Sequence, residues 1–133
     1  MLTCDIILFA ETAHFAQDRK ISIVDEYNII RTTGEATIPP GRLVLRLTGT
    51  QQDVGPHKVA VRVLTADAEL LAASPSMDVQ VGPTSIDGTP PRAWIIAGMP
   101  PVPLGIGTYT FEVYVDAKRQ DRTEDLHVVR LPE

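Results

Sequence analysis

Apolar and polar residues alternate along most of this chain with a period of two, the pattern of strands that bury one face. Leu43, Leu45 and Leu47 fall on one side of a predicted strand, with Arg42, Val44, Arg46 and Thr48 on the other. Val59, Val61 and Val63 repeat the pattern against Lys58, Ala60 and Arg62, and Met77, Val79 and Val81 against Asp78 and Gln80. Near the C-terminus Tyr109, Phe111, Val113 and Val115 oppose Thr108, Thr110, Glu112 and Asp116, followed by Leu126 and Val128 against His127 and Val129. At the other end an apolar run from Ile6 reaches a turn at Asp18, Arg19 and Lys20 and returns over Ile21 to Tyr27, which predicts an opening hairpin. Cys4 alternates with Ile6 and Leu8, so these three are expected on the core face. Glu11 to Gln17 reads either as a short helical turn or as more of the same strand.

Turn-forming residues separate the runs at Pro39-Pro40-Gly41, Gly49 to Pro56, Ala66 to Ala68, Gly82-Pro83, Asp87 to Pro91 and Pro100 to Gly107. Proline cannot donate to a central ladder, and no helix long enough for a parallel crossover is visible. The pattern predicts an all-β, mainly antiparallel, immunoglobulin-like β-sandwich of about seven to nine strands with at most one short helical turn. At 133 residues the chain is expected to form one domain over positions 1–133.

Charge narrows the set of partners. A formal net charge of -5, with scattered Lys and Arg, argues against a phosphate backbone and so against nucleic acid. No apolar span of membrane length is present, which sets aside a transmembrane helix. Cys4 is the single cysteine, no signal-peptide pattern precedes it, and a cytoplasmic location is expected.

A wider set of features carries a resemblance. The opening apolar strand, Ala10 to Ala13, the return from Asp18 to Val24, Pro39 before a strand, the His57 to Val63 strand and Gly107 to Val113 resemble the small bacterial β-sandwich proteins of the DUF6941 family. That family is one of unknown function, so the resemblance implies a sandwich fold and no catalytic residue. The spacing Gly107, Tyr109, Phe111 also resembles a late strand of many immunoglobulin-like sandwiches, whose aromatic residues belong to the core.

Residues able to do chemistry are few and scattered. His14, His57 and His127 are far apart in sequence and form no His-x-His pair. Glu11 and His14 would share a face, as a fragment of a metal site, only on a helix. Asp116, Asp121, Glu124 and Asp125 gather near an expected hairpin turn, but Lys118, Arg119 and Arg122 are interleaved with them. Ser22, Ser74, Ser76 and Ser85 lack a nucleophile elbow, and Gly105 with Gly107 lacks the rest of a phosphate-binding loop. No cofactor is implied.

The remaining feature is the only tryptophan, Trp94, with Arg92, between Pro90-Pro91 and Pro100-Pro101. Stiff flanks and a Trp–Arg pair suit a partner contact through Arg92, Trp94, Pro100 and Pro101; the opposing reading makes Trp94 a cap on the core. The sequence therefore points to a non-catalytic interaction or assembly module that binds a protein partner or a second copy of itself. The alternative is a metal- or small-ligand-binding enzyme or sensor built from the histidines and acids at one end of the sandwich.

Overall fold

The computed structural model describes residues 1–15, 20–34, 36–38, 42–84, 86, 88–97 and 102–131. The expected turn residues Asp18 and Arg19, the Pro39-Pro40-Gly41 separator, Ser85, Asp87, and the proposed contact residues Pro100 and Pro101 lie outside these. Twelve strands are found among the described residues: β1 (Thr3–Phe15), β2 (Ile21–Tyr27), β3 (Ile29–Thr32), β4 (Ala36–Ile38), β5 (Arg42–Thr48), β6 (Gly55–Leu64), β7 (Leu70–Ala73), β8 (Met77–Val81), β9 (Arg92–Ala97), β10 (Val102–Leu104), β11 (Gly107–Val115) and β12 (Lys118–Arg130). Strands β3, β4, β7 and β10 are three or four residues long, too short to show alternation, which is why the pattern predicts fewer.

One sheet runs β2-β1-β5-β9 and is antiparallel throughout. The second runs β3-β12-β11-β6, antiparallel except for the parallel pair β3 and β12. Strands β7 and β8 lie in tandem along the far side of β6, paired with its later and earlier halves. Ser74 fills the gap between them: its hydroxyl accepts from Val61 N at 2.9 Å and its own N–H donates to Val61 O at 2.8 Å. That bonding makes Ser74 a repair of the ladder at a strand break. Strands β4 and β10 form a small ribbon whose Ala36, Val102 and Leu104 close one end of the core.

The inward residues of both sheets make one core, and most are those the alternation selects. Leu43, Leu45, Leu47, Val59, Val61, Val63, Phe111, Val113, Val115, Leu126 and Val128 are all buried. Phe9 meets Phe111 edge to face with ring centroids 4.7 Å apart, joining β1 of one sheet to β11 of the other. The exception to the predicted pattern is β1. A bulge between Cys4 and Ile6 leaves Asp5 as an extra residue, so the inward positions pass from Cys4 to Ile7 and Phe9. Ile6 and Leu8, expected in the core with Cys4, stand on the outer face instead, because one extra residue inverts a period-two strand.

Glu11 to Phe15 continues β1 as strand, so the suggested helical turn does not form there. A 3-10 turn is found at Gln51–Asp53 instead, capped where Asp53 Oδ2 accepts from Thr50 N at 2.7 Å. Gln120 ties the sheets together at the same end: its Oε1 accepts from Cys4 N at 3.0 Å within the bulge, bridging β12 to β1.

Replacing Phe111 by Ala is expected to destabilise the fold by about 3–5 kcal/mol, through lost transfer energy plus an unfilled space under Phe9. Urea unfolding would show it, with Val129→Ala on the same half of the molecule within about 0.5 kcal/mol of the parent.

Candidate functional site

The outer faces of the two sheets differ in chemistry. Across the second sheet the outward positions hold several polar pairs, Lys58 with Asp78 at 2.5 Å, Glu112 with Arg119, and Thr110 with Asp125 at 2.9 Å, with the exposed Ile29 and Val129 among them. Arg62 lies over the Tyr114 ring, 4.5 Å from its centroid. Across the first sheet the positions facing away from the core include Ile6, Leu8, Trp94 and Ile96, all half-buried, around Val44, which is fully buried.

Trp94 stands on that face, on the edge strand β9. Its neighbours Ala93 and Ile95 pack in the core, and Trp94, half-buried, lies on the opposite side of the strand. Arg46, opposite it on β5, lies 5.6 Å from the indole centroid. The guanidinium is fixed by Asp5, whose two carboxylate oxygens accept from Arg46 Nε at 3.1 Å and Nη2 at 2.6 Å, and Asp5 also accepts from Thr48 Oγ1 at 3.0 Å. These bonds hold the Asp5 carboxyl below the usual carboxylate range. The bulge in β1 is what turns Asp5 outward to reach Arg46. Sequence reading missed this triad, since the only signal for it was an acid interrupting an apolar strand. Arg92 is exposed on the same face, without an ion-pair partner among the described residues. Strand β9 itself has a partner on one side only, β5, among the described strands.

The histidines are not brought together. His14 pairs across from Ser22 on the far part of the β1–β2 hairpin, and His127 accompanies Thr108, its Nδ1 3.0 Å from Thr108 Oγ1. These two face outward from opposite sheets. His57 lies at the other end, beside the β11–β12 turn. Thr108 and Val115 mark the two ends along β11, seven residues or roughly 23 Å apart. Glu11 and His14, three apart on a strand, point to opposite faces. Of the acids expected to gather at a turn, Asp116 is in the turn while Asp121, Glu124 and Asp125 are strung along β12. Among the described residues no three His, Cys, Asp or Glu side chains are placed to hold a metal ion. Cys4 is buried and its thiol is pushed up to about 11, first by burial and then by Asp5, which makes it a poor nucleophile.

His57 has a structural role instead. Its Nδ1 is 2.6 Å from Asp116 Oδ2 and its Nε2 is 2.5 Å from the Asp53 carbonyl oxygen. A carbonyl and a carboxylate only accept, so both contacts are satisfied when the ring is an imidazolium donating from each nitrogen. Asp116 also accepts from Lys58 N at 3.0 Å, and its own N–H donates to Lys58 O at 2.8 Å. Together these pin the two-residue turn Asp116-Ala117, both at positive φ, to the start of β6 and to the 3-10 turn. The Asp116 carboxylate holds the His57 pKa above its ordinary value, and His57 holds that of Asp116 below its own.

Residues 5–129 match the family of unknown function DUF6941, and the chain belongs to that family. No curated protein matches the sequence. No helix among the described residues is long and apolar enough to cross a membrane.

A raised His57 pKa means that its contribution to stability is complete below the unfolded value near about 6.5 and is lost as pH rises through the folded value. Asp116, with a lowered pKa, contributes above about 4 and loses that contribution as pH falls. Thermal melts should therefore decline as pH rises above about 6.5, and His57→Gln should flatten that decline. An unchanged alkaline limb in the variant would remove His57 from the account.

Proposed function

We propose that this protein is a non-catalytic protein-interaction or assembly module, contained in one domain over residues 1–133, that works in the cytoplasm through the outer face of its four-stranded sheet. The observation carrying this reading is the outward placement of Trp94 on β9, set in an apolar face and braced by the Arg46–Asp5 pair. Aromatic and arginine side chains on a rigid sheet make good contact anchors, because little freedom is lost when a partner covers them. Arg92, on the same strand and face, belongs to this surface. A net charge of -5 supports a protein partner over nucleic acid.

An immunoglobulin-like arrangement is part of the proposal. Tyr109, near the start of β11 and two residues before the core Phe111, donates its hydroxyl to Gly105 O at 3.0 Å, as a tyrosine does at the corner of such sandwiches.

Native mass spectrometry of the protein purified gently from its own host tests the reading. The expected mass includes a second chain or a protein partner, and Trp94→Ala returns it to the bare monomer while stability changes by about 1 kcal/mol or less. A bare monomer in the parent, or a variant that loses stability and keeps its partner, contradicts it.

A further inference from the structure

The four-stranded sheet has two open edges of opposite charge. Its order is β2-β1-β5-β9, and neither β2 nor β9 has a second strand partner among the described residues. On the β9 edge stands Arg92, exposed and without an ion-pair partner among the described residues. On the β2 edge stand Asp25 and Glu26, both exposed, with Glu11 beside them on β1. Burial raises the carboxyl of Glu124 above its ordinary value, with Asp125 and Glu26 adding to the rise and Arg122 opposing it, so the acids of this edge lie close enough to a second-sheet carboxyl to act on it.

Strand direction makes the two edges compatible. Four strands with every neighbour antiparallel leave the edge strands running oppositely. A second copy placed beside the first in the same orientation therefore sets its β2 antiparallel to the first copy's β9, and the outer faces of both sheets remain on one side. The strands are seven and six residues long. Setting Arg92 opposite Glu26 puts Trp94 opposite Val24 and Ile96 opposite Ser22 on the outer face, with Ile95 opposite Ile23 and Ala97 opposite Ile21 on the inner one, while Ala93 meets Asp25, whose φ of 58° breaks the regular strand for one residue. Val24 is 47% exposed in the isolated chain and would be covered by the indole.

The hairpin is also shaped to reach. β1 pairs with β5 through Thr3 to Ala10 but with β2 through Phe9 to Phe15, so β2 stands displaced along β1 from the rest of its sheet. Its end carries Phe15, 53% exposed. Among the described residues, Ala93 to Ala97 of β9 carry no charge, proline or bulge that would discourage pairing.

We propose that this chain associates head to tail with copies of itself, the β2 edge of one copy extending the sheet at the β9 edge of the next, with Arg92 facing Glu26 across the junction. The proposal rests on the reading of the Trp94 face as a contact surface and names a second copy of the chain as its occupant. Because the two edges differ, the contact is heterologous and each copy keeps one edge free for another.

Charge exchange tests it. In sedimentation velocity at low salt, the purified wild-type chain should show a size that grows with concentration. Arg92→Glu alone and Glu26→Arg alone, both at exposed positions, should each weaken association by roughly tenfold by placing like charges across the junction. Their equimolar mixture should recover the wild-type behaviour. In it the carboxylate introduced on one copy's β9 meets the guanidinium introduced on the other copy's β2, and the alternate junction keeps the native Arg92–Glu26 pair. A wild-type chain that is monomeric up to its solubility limit overturns the proposal, as does a mixture no stronger than either variant. If the host-purified protein nevertheless retains a different partner that Trp94→Ala releases, the interaction reading stands while the head-to-tail contact falls.

Discussion

Two sheets hold together here because alternate side chains on each must leave water on the same side, and Phe9 packed edge to face on Phe111 joins the two surfaces. The period-two rule gives this contact its reach. Once Phe9 is directed inward, Ile7 is inward with it, and Leu43, Leu45 and Leu47 follow through the register with β5. The same rule directs Trp94 outward, since Ala93 and Ile95 on either side of it belong to the core. The outward placement of Trp94 is thus a geometric consequence of the core.

The bulge at Asp5 is the point where core and surface are linked. Without the extra residue, Ile6 and Leu8 would continue the inward series begun by Cys4, and Phe9 would face solvent. With it, Asp5 is delivered to Arg46, and Arg46 to the indole of Trp94. Gln120 secures the bulge from the opposite sheet by accepting the Cys4 N–H. The polar groups at this end, including the His57 bridge between Asp116 and Asp53, hold the turns that frame the sandwich and leave its outer faces free.

Much of the fold was legible in the sequence because strands of five or more residues with one buried face write their alternation directly. Val59, Val61 and Val63 are such a case, and so are Phe111, Val113 and Val115. What was not legible depends on single residues or on distant ones. A bulge leaves no periodic trace, so the faces of β1 beyond Asp5 were inverted in the sequence reading. Short strands such as β3 and β7 are defined by their partners β12 and β6 more than by their own residues. The candidate site was half legible: Trp94 and Arg92 stand out by composition, whereas Asp5 and Arg46 join them only through a register that spans 41 positions.

The account rests on Trp94 lying on a contact surface, and the indole is the only one in the chain. Its fluorescence can therefore be followed without labelling, as acrylamide quenching over a range of protein concentrations. In dilute protein the account predicts ready quenching and a red-shifted emission, with protection and a blue shift developing as concentration rises or partner is added. A blue-shifted emission that resists quenching at every dilution would place Trp94 in the core and contradict it.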